Sequence, residues 1–305
     1  MATKIYDFLI IGSGIAGYAA AIYATRFNLK TIIIGKSSGG MIAQTHIVEN
    51  YPGFISLSGM ALAEKLRAHA AAYNVTINSD EVVVIKKIGK LFSIKTAKEK
   101  TYYAKTILFA TGTRWKKLNV PGEKEFTNKG VSYCATCDGP LFKNKIVGVV
   151  GGSDSAAKES LLLSEYAKKV YIIYRGQKIR AEPINIDRLK RAKNIEIITN
   201  TNVTSIQGKQ FVERIKLDKA YLNKNELNLN GLFIEIGHVP ESSLAKQLCV
   251  KLNKNSEIKT DRYSKTNVDG IYAAGDVTDT LYKQAILSAS AGVTAAHSAY
   301  EYLKK

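Results

Sequence analysis

The stretch Ile5-Tyr6-Asp7-Phe8-Leu9-Ile10-Ile11-Gly12-Ser13-Gly14-Ile15-Ala16-Gly17 decides the fold. An apolar run ends on Gly-x-Gly-x-x-Gly, and Ala-rich helical sequence follows to about Phe27. Strand, glycine turn and helix in that order are the setting a dinucleotide fingerprint requires. Gly12 permits the tight turn, Gly14 lets a pyrophosphate reach backbone N–H groups, and Gly17 lets the helix pack on the strand. The run from Phe8 to Ala24 is also apolar enough to be weighed as a signal peptide or membrane span. Its three glycines, and no small-residue cleavage site after a charged leader, favour strand, turn and helix. A soluble, cytoplasmic protein is expected.

Beyond this unit, Thr31 to Ile34 reads as the second strand. The fingerprint expects an acid at its end for the ribose hydroxyls, and Gly35 stands there instead. A flexible loop, Ser37-Ser38-Gly39-Gly40-Met41, and Glu49-Asn50-Tyr51-Pro52-Gly53 lead to a helix from Gly59 to Tyr73. Val82 to Ala104 reads as three short alternating strands, separated by Gly89-Lys90 and by Lys98 to Lys100. Thr106 to Phe109 reads as a further buried strand, stopped by Ala110-Thr111-Gly112-Thr113.

The chain then repeats itself. Lys145 to Val150 is apolar, Gly151-Gly152-Ser153-Asp154-Ser155-Ala156 opens another Ala/Leu-rich helix, and Val170 to Ile173 is the next strand. The interval from Gly12 to Gly35 equals that from Gly151 to Tyr174, and a meander follows each unit. The second unit ends at Gly231 to Gly237 as the first ends at Gly112. Two Rossmann-type units imply two nucleotides with electron transfer between them, or a second unit that has lost its ligand. After Pro240 the chain runs to Gly275-Asp276 and an Ala-rich helix from about Gln284 to Leu303. That arrangement places a carboxylate on a sugar-like chain and aims a helix N-terminus at an electron-rich ring.

At the head of the second unit stands Cys134-Ala135-Thr136-Cys137-Asp138-Gly139. Two cysteines at this spacing can close a disulfide across one turn, each thiolate being the other's leaving group, with Asp138 beside them to handle the proton. A zinc half-site and an inert pair are the alternatives. Zinc wants four ligands, and only Cys249 and four scattered histidines (His46, His69, His238, His297) remain, so no metal site is expected. Cys249, between Leu248 and Val250, reads as buried packing. Three cysteines in 305 residues exclude a disulfide scaffold and suit a reducing compartment. The formal net charge of +18, from 44 Lys and Arg against 26 Asp and Glu, is compatible with an acidic or nucleic-acid partner. The lysines are spread (Lys86, Lys87, Lys116, Lys117, Lys168, Lys169, Lys304, Lys305) without interleaved aromatics, so a solvated surface is favoured and nucleic acid is not expected.

Over essentially its whole length the chain resembles the low-molecular-weight thioredoxin reductases. Gly12 to Gly17, Glu49 to Gly53, Cys134 to Gly139, Gly151 to Ala156, Gly237-His238-Val239-Pro240 and Gly275-Asp276 carry the resemblance. It implies an α/β protein of two Rossmann-like nucleotide-binding domains, each with a β-meander, the second inserted into the first. The FAD domain would comprise 1–115 and 243–305. The NAD(P)H domain, 116–242, would carry the dithiol. By resemblance, Cys137 lies against the flavin, Cys134 attacks the disulfide of a thioredoxin-like partner, and Asp138 is acid and base. Hinges near 113–118 and 239–244 would let one domain swing against the other, and a homodimer is implied. FAD is expected at Gly12, Ser13, Gly14, Ala16, Gly17, Gly35, Lys36, Gly39, Gly40, Met41, Asn50, Val82, Thr111, Gly112, Gly275, Asp276, Lys283, Gln284 and Ala285. The pyridine nucleotide is expected at Gly151, Gly152, Ser153, Asp154, Ser155, Arg175, Arg180 and Gly237.

The sequence departs from that pattern in four places. Met41 replaces a usual glutamine, Lys283 a usual arginine, and Ser153 a glycine. The NADPH-using members carry His-Arg-Arg with a further Arg four residues on, whereas this chain reads Tyr174-Arg175-Gly176-Gln177-Lys178-Ile179-Arg180. Two guanidinium groups remain that could bind a 2′-phosphate, and no ribose-binding acid stands at Tyr174. NADPH is therefore the favoured donor, with NADH and ferredoxin as alternatives. A flavoprotein sensor without turnover is the reading from outside the enzymes.

Overall fold

The computed structural model describes residues 4–305. The chain divides into two compact units, one of Met1–Arg114 and Val239–Lys305, the other of Trp115–His238. The second crossing falls earlier than the expected 242/243. Glu241 explains this, because it is bound into the first unit. Its N–H donates to the Gly112 carbonyl at 3.0 Å, its carbonyl accepts from Thr111 Oγ1 at 2.6 Å, and its carboxylate pairs with Arg114 at 2.8 Å.

In the first unit a seven-stranded sheet holds Thr76–Ser79, Thr31–Gly35, Ile5–Ile11 and Thr101–Phe109 side by side in parallel. Ile5–Ile11 is buried almost throughout, as an apolar run covered on both faces must be. Thr101–Phe109 is one strand, not the two pieces expected. Its first half pairs antiparallel with Leu91–Thr96, which in turn pairs with Val82–Ile88. Its second half pairs in parallel with Ile271–Ala273. The change of partner midway explains why its sequence pattern changes midway. The Ile15–Arg26 and Ala285–Leu303 helices cover this sheet, with Ala16, Ala20, Ala21, Ala295, Ala296 and Ala299 in one buried cluster. A Cβ on Gly292 would lie 2.2 Å from the Ala16 carbonyl oxygen, so small residues set this close helix approach. The Gly59–Ala72 helix starts on Ser58, whose side chain accepts from the Ala61 N–H at 3.1 Å.

The second unit repeats the parallel order. Ile195–Ile198, Lys169–Ile173, Ile146–Val150, Gly231–Ile234 and Val131–Ser132 form five parallel strands. A three-stranded antiparallel sheet, Val203–Gly208, Val212–Tyr221 and Lys224–Asn228, accompanies them. Each unit therefore has its third, second and first strands adjacent in that order, the half of a doubly wound sheet that places a ligand at the first strand's carboxyl end. Among the described residues no helix is long and apolar enough to cross a membrane.

Candidate functional site

The first glycine turn is shaped by close backbone approach. Gly12 has φ 115°, and a Cβ there would stand 2.1 Å from the Ala110 carbonyl oxygen. A Cβ on Gly17 would stand 2.1 Å from the Gly12 carbonyl oxygen, so no larger residue lets this helix start where it does. Gly14, the residue before the helix, has no neighbour closer than 3.8 Å to such a Cβ and leaves its face open. The helix N-terminus there carries no side-chain cap. Uncapped N–H groups on a buried helix with an open glycine face fit a pyrophosphate.

Gly35 takes the place of the expected acid because no side chain fits. Its Cβ would meet Ser13 Oγ at 2.3 Å and Ser13 N at 2.7 Å. Ser13 Oγ donates instead to the Ser37 carbonyl at 2.7 Å, and its carbonyl accepts from Gly39 N–H at 2.8 Å. Ser13 thus fastens the 37–39 loop, and Gly40 and Met41 open a short 3₁₀ helix, Gly40–Gln44. Lys36 pairs with Glu81 at 2.8 Å on the surface. Asn50 Nδ2 donates to Gln284 Oε1 at 3.1 Å, so two expected FAD residues from distant stretches meet. Gly275 packs against Ala16, and Asp276 accepts from Ser288 of the final helix at 3.4 Å. Lys283 bonds to the Asp276 carbonyl at 2.8 Å and to Glu257. The final helix follows directly at Ala285, again without a side-chain cap. Val82 is buried, and around Gly112 (φ 65°) a Cβ would find open space. The residues of the first unit fit FAD.

In the second unit, a Cβ on Gly151 would meet the Glu235 carbonyl oxygen at 2.2 Å. A Cβ on Gly152 would lie 2.4 Å from the Tyr174 ring, and one on Gly176 would lie 2.6 Å from the same ring. Tyr174 is thus lodged between the glycine turn and the loop after the second strand. Arg180 N–H donates to the Gly152 carbonyl at 2.7 Å and pairs as a bridge with Ser153, so the 175–180 arm lies along the turn. Arg175, Arg180, Ser153 and Ser155 are exposed. Asp154 is directed elsewhere. It accepts from Lys158 at 2.8 Å, from Asn185 at 2.8 Å and from Glu182 N–H at 3.0 Å. Burial acts to raise its carboxyl, and these bonds outweigh burial and hold it below the usual range. Gly237 has φ 102° with open space around it.

Cys134 and Cys137 are joined as a disulfide, with Cα atoms 5.3 Å apart. Cys134 precedes the single-turn helix Ala135–Asp138, and its Sγ accepts from the Cys137 N–H at 3.1 Å. Cys134 is 8% exposed, whereas Cys137 is exposed. Ser132 accepts the Cys134 N–H at 3.1 Å and donates to Asp138 Oδ2 at 2.6 Å. From the neighbouring helix, Glu159 Oε2 accepts the Ala135 N–H at 2.6 Å. Burial pushes the Glu159 carboxyl up to about 7. Glu235 is pushed up to about 9 by burial and by Glu159.

Sequence reasoning missed Ser132, Glu159, Glu235 and the ring of Tyr174. Glu235 left a signal, an acid inside the apolar run Leu232-Phe233-Ile234-Glu235-Ile236. Cys249 is corrected: it is exposed, not packed, because the chain turns there at φ 57° after a short helix. Among the described residues no group of three or more His, Cys, Asp or Glu is placed to hold a metal.

Residues 6–298 match the family described as pyridine nucleotide-disulphide oxidoreductase. The chain is 38% identical over 301 residues to the thioredoxin reductase of Treponema pallidum, covering 98% of this chain and 97% of that one. It is 37% identical over 300 residues to one of the alkyl hydroperoxide reductase subunits of Staphylococcus aureus, where it spans 98% of its own length and 59% of the relative's. The crystal structure of thioredoxin reductase from T. acidophilum superposes with a TM-score of 0.94 at 38% identity, covering 99% of this chain and 100% of that chain.

Proposed function

The chain belongs to the pyridine nucleotide-disulphide oxidoreductase family, and we propose that it is a thioredoxin reductase taking electrons from NADPH and delivering them to the disulfide of a thioredoxin-like protein. The observation that carries the reading is the Cys134–Cys137 disulfide at the head of a unit with its own glycine turn, its carboxylate Asp138 tied back by Ser132. When bound, FAD supplies acceptance of an electron pair from the nucleotide and its transfer to a disulfide. The first unit would hold it through the Gly12–Gly17 turn, the Ser13-fastened loop, Asn50 with Gln284, and Asp276 beside the final helix.

The dithiol chemistry belongs to this chain. Two electrons and two protons open Cys134–Cys137 to two thiols. Asp138 takes the Cys134 proton, the Cys134 thiolate attacks one sulfur of the partner's disulfide, and the other sulfur leaves as a thiolate that takes that proton back from Asp138. Cys137 then loses its proton to Asp138 and attacks the Cys134 sulfur, which restores the disulfide, and the partner's second sulfur leaves as a thiolate that takes this proton from Asp138. Cys134 is nearly buried, so its attack requires that it first be uncovered. On the nucleotide side, Arg175 and Arg180 are the groups that could clamp a 2′-phosphate.

A second reading, with a donor such as ferredoxin, is favoured by one observation: the Tyr174 ring fills the space above Gly152. Anaerobic addition of NADPH, NADH and reduced ferredoxin to the FAD-loaded protein separates the two. Bleaching of the flavin by NADPH supports the proposal, and bleaching by ferredoxin alone supports the alternative. We also propose a homodimer, which the exposed apolar side chains Ile55, Met60, Leu281 and Tyr282 of the first unit support. Light scattering on the eluting protein gives its mass directly.

A further inference from the structure

Two acids of the second unit, Glu235 buried and Glu159 half-buried, take no part in the chemistry above. Glu159 sits on the Asp154–Tyr166 helix, which begins at the second glycine turn. Its Oε2 accepts the Ala135 N–H at 2.6 Å, the first amide of the dithiol turn and the residue next to Cys134. Glu235 follows the Gly231–Ile234 strand and is 6% exposed. Its own carbonyl oxygen backs Gly151, and its carboxyl is close enough to Glu159 for the two charges to repel. Among the described residues no cation lowers either carboxyl, and an acid as buried as Glu235 without one is unusual.

Charged groups on the Asp154–Tyr166 helix and on elements packed against it are engaged elsewhere. Lys158 pairs with Asp154, Lys169 with Glu196, and Lys190 with Asp187. Arg188 donates to Asn185, Asp138 accepts from Ser132, and Glu165 and Arg191 are exposed. The dithiol turn, bonded directly to Glu159 through the Ala135 N–H, is the neighbour whose charge changes during a redox cycle.

We propose that Glu159 is a positioning residue for the dithiol, its carboxyl holding the first amide of the Cys134–Cys137 turn and its negative charge opposing loss of the neighbouring thiol's proton. The inference rests on reading Cys134–Cys137 as a redox dithiol. In the oxidised protein the disulfide carries no charge and Glu159 can ionise. After reduction, a thiolate one residue from the Glu159 bond and an ionised Glu159 cannot both be favourable, so the couple keeps one proton between them. Burial pushes Glu159 up to about 7 and Glu235 to about 9, which keeps Glu235 protonated and leaves Glu159 as the group that titrates in the neutral range.

The test uses the FAD-loaded protein carrying Cys249→Ser, because exposed Cys249 would otherwise react. The disulfide is opened with dithiothreitol, which is oxidised to its cyclic disulfide as two thiols form. After removal of the reductant, iodoacetamide alkylation of Cys134, told apart from that of exposed Cys137 by peptide fragment mass, is followed against pH. Glu159→Gln keeps an acceptor for the Ala135 N–H and loses the charge, whereas Glu159→Asp keeps the charge and shortens the reach. The inference expects the Gln variant's thiol profile to shift down by about one pH unit, so that it alkylates about tenfold faster at neutral pH, and the Asp variant to stay near wild type. Profiles that coincide for wild type and Gln, with only Asp displaced, would mean a purely structural bond and overturn it. If dithiothreitol releases no thiol pair, the dithiol reading falls and takes the inference with it.

Discussion

Ser132 Oγ donates to Asp138 Oδ2 at 2.6 Å while accepting the Cys134 N–H at 3.1 Å, so one hydroxyl fixes the carboxylate relative to the dithiol. Asp138→Asn should keep the disulfide and this hydrogen bond and lose the proton carrier. Steady-state thioredoxin reduction should fall by about 10²-fold or more. Ser132→Ala should cost less, about 1 kcal/mol of positioning, or roughly fivefold in rate. Wild-type rates for Asp138→Asn would reduce Asp138 to a turn residue before Gly139.

The Tyr174 ring changes what restoring the missing arginine would do. A Cβ on Gly176 would stand 2.6 Å from that ring, so Gly176→Arg forces the ring aside or fails to seat. The single change should leave the Michaelis constant for NADPH unimproved, whereas Tyr174→Ala with Gly176→Arg should lower it. Non-additivity in this cycle, read from initial rates, reports the coupling. A single Gly176→Arg that tightens NADPH on its own would show that the ring does not guard the turn.

Arg175 and Arg180 are exposed, and the backbone of Arg180 is tied to the turn at Gly152. Charge-assisted bonds to a phosphate are worth roughly 1.5–3 kcal/mol each. Arg175→Ala with Arg180→Ala should therefore raise the Michaelis constant for NADPH by roughly two orders of magnitude or more, and leave the NADH rate nearly unchanged. Equal losses with both nucleotides would place the arginines outside the 2′-phosphate site.

Glu235 gives stability a pH dependence of defined sign. Its folded value, about 9, lies above its ordinary 4.5. Between those values the native protein holds a proton that the unfolded chain has released, so stability falls as pH rises. From pH 7 to 9, above the folded value of about 7 for Glu159, the slope from these acids belongs to Glu235. It can reach at most about 1.4 kcal/mol per pH unit. Denaturant titrations of Glu235→Gln should show that slope flattened. A slope identical to wild type would mean that Glu235 does not hold its proton.

What the sequence displays and what it hides divide along one line. Gly12, Gly14 and Gly17 are legible because a turn, an open face and a close helix approach each forbid a side chain, and that prohibition is written in adjacent residues. Cys134 and Cys137 are legible because one helical turn fixes their spacing. The Thr101–Phe109 strand reads as two pieces because its partner changes midway, which alternation along one strand does not record. The absent acid at Gly35 reads as a departure until Ser13 is seen to fill its place. Glu159 is invisible in the sequence because its partner Ala135 is 24 residues away. Tyr174 reads as a lost ribose contact because its packing on Gly152 exists only once strand and turn are adjacent.

The central claim is that electrons leave through Cys134–Cys137. The most direct measurement counts free thiols released from oxidised thioredoxin by the FAD-loaded protein and NADPH under anaerobic conditions. Wild type and Cys249→Ser should release two thiols per thioredoxin, turnover after turnover. Cys134→Ser and Cys137→Ser should release none in the steady state while their flavin is still bleached by NADPH. Thioredoxin reduction at the wild-type rate by Cys137→Ser would contradict the account.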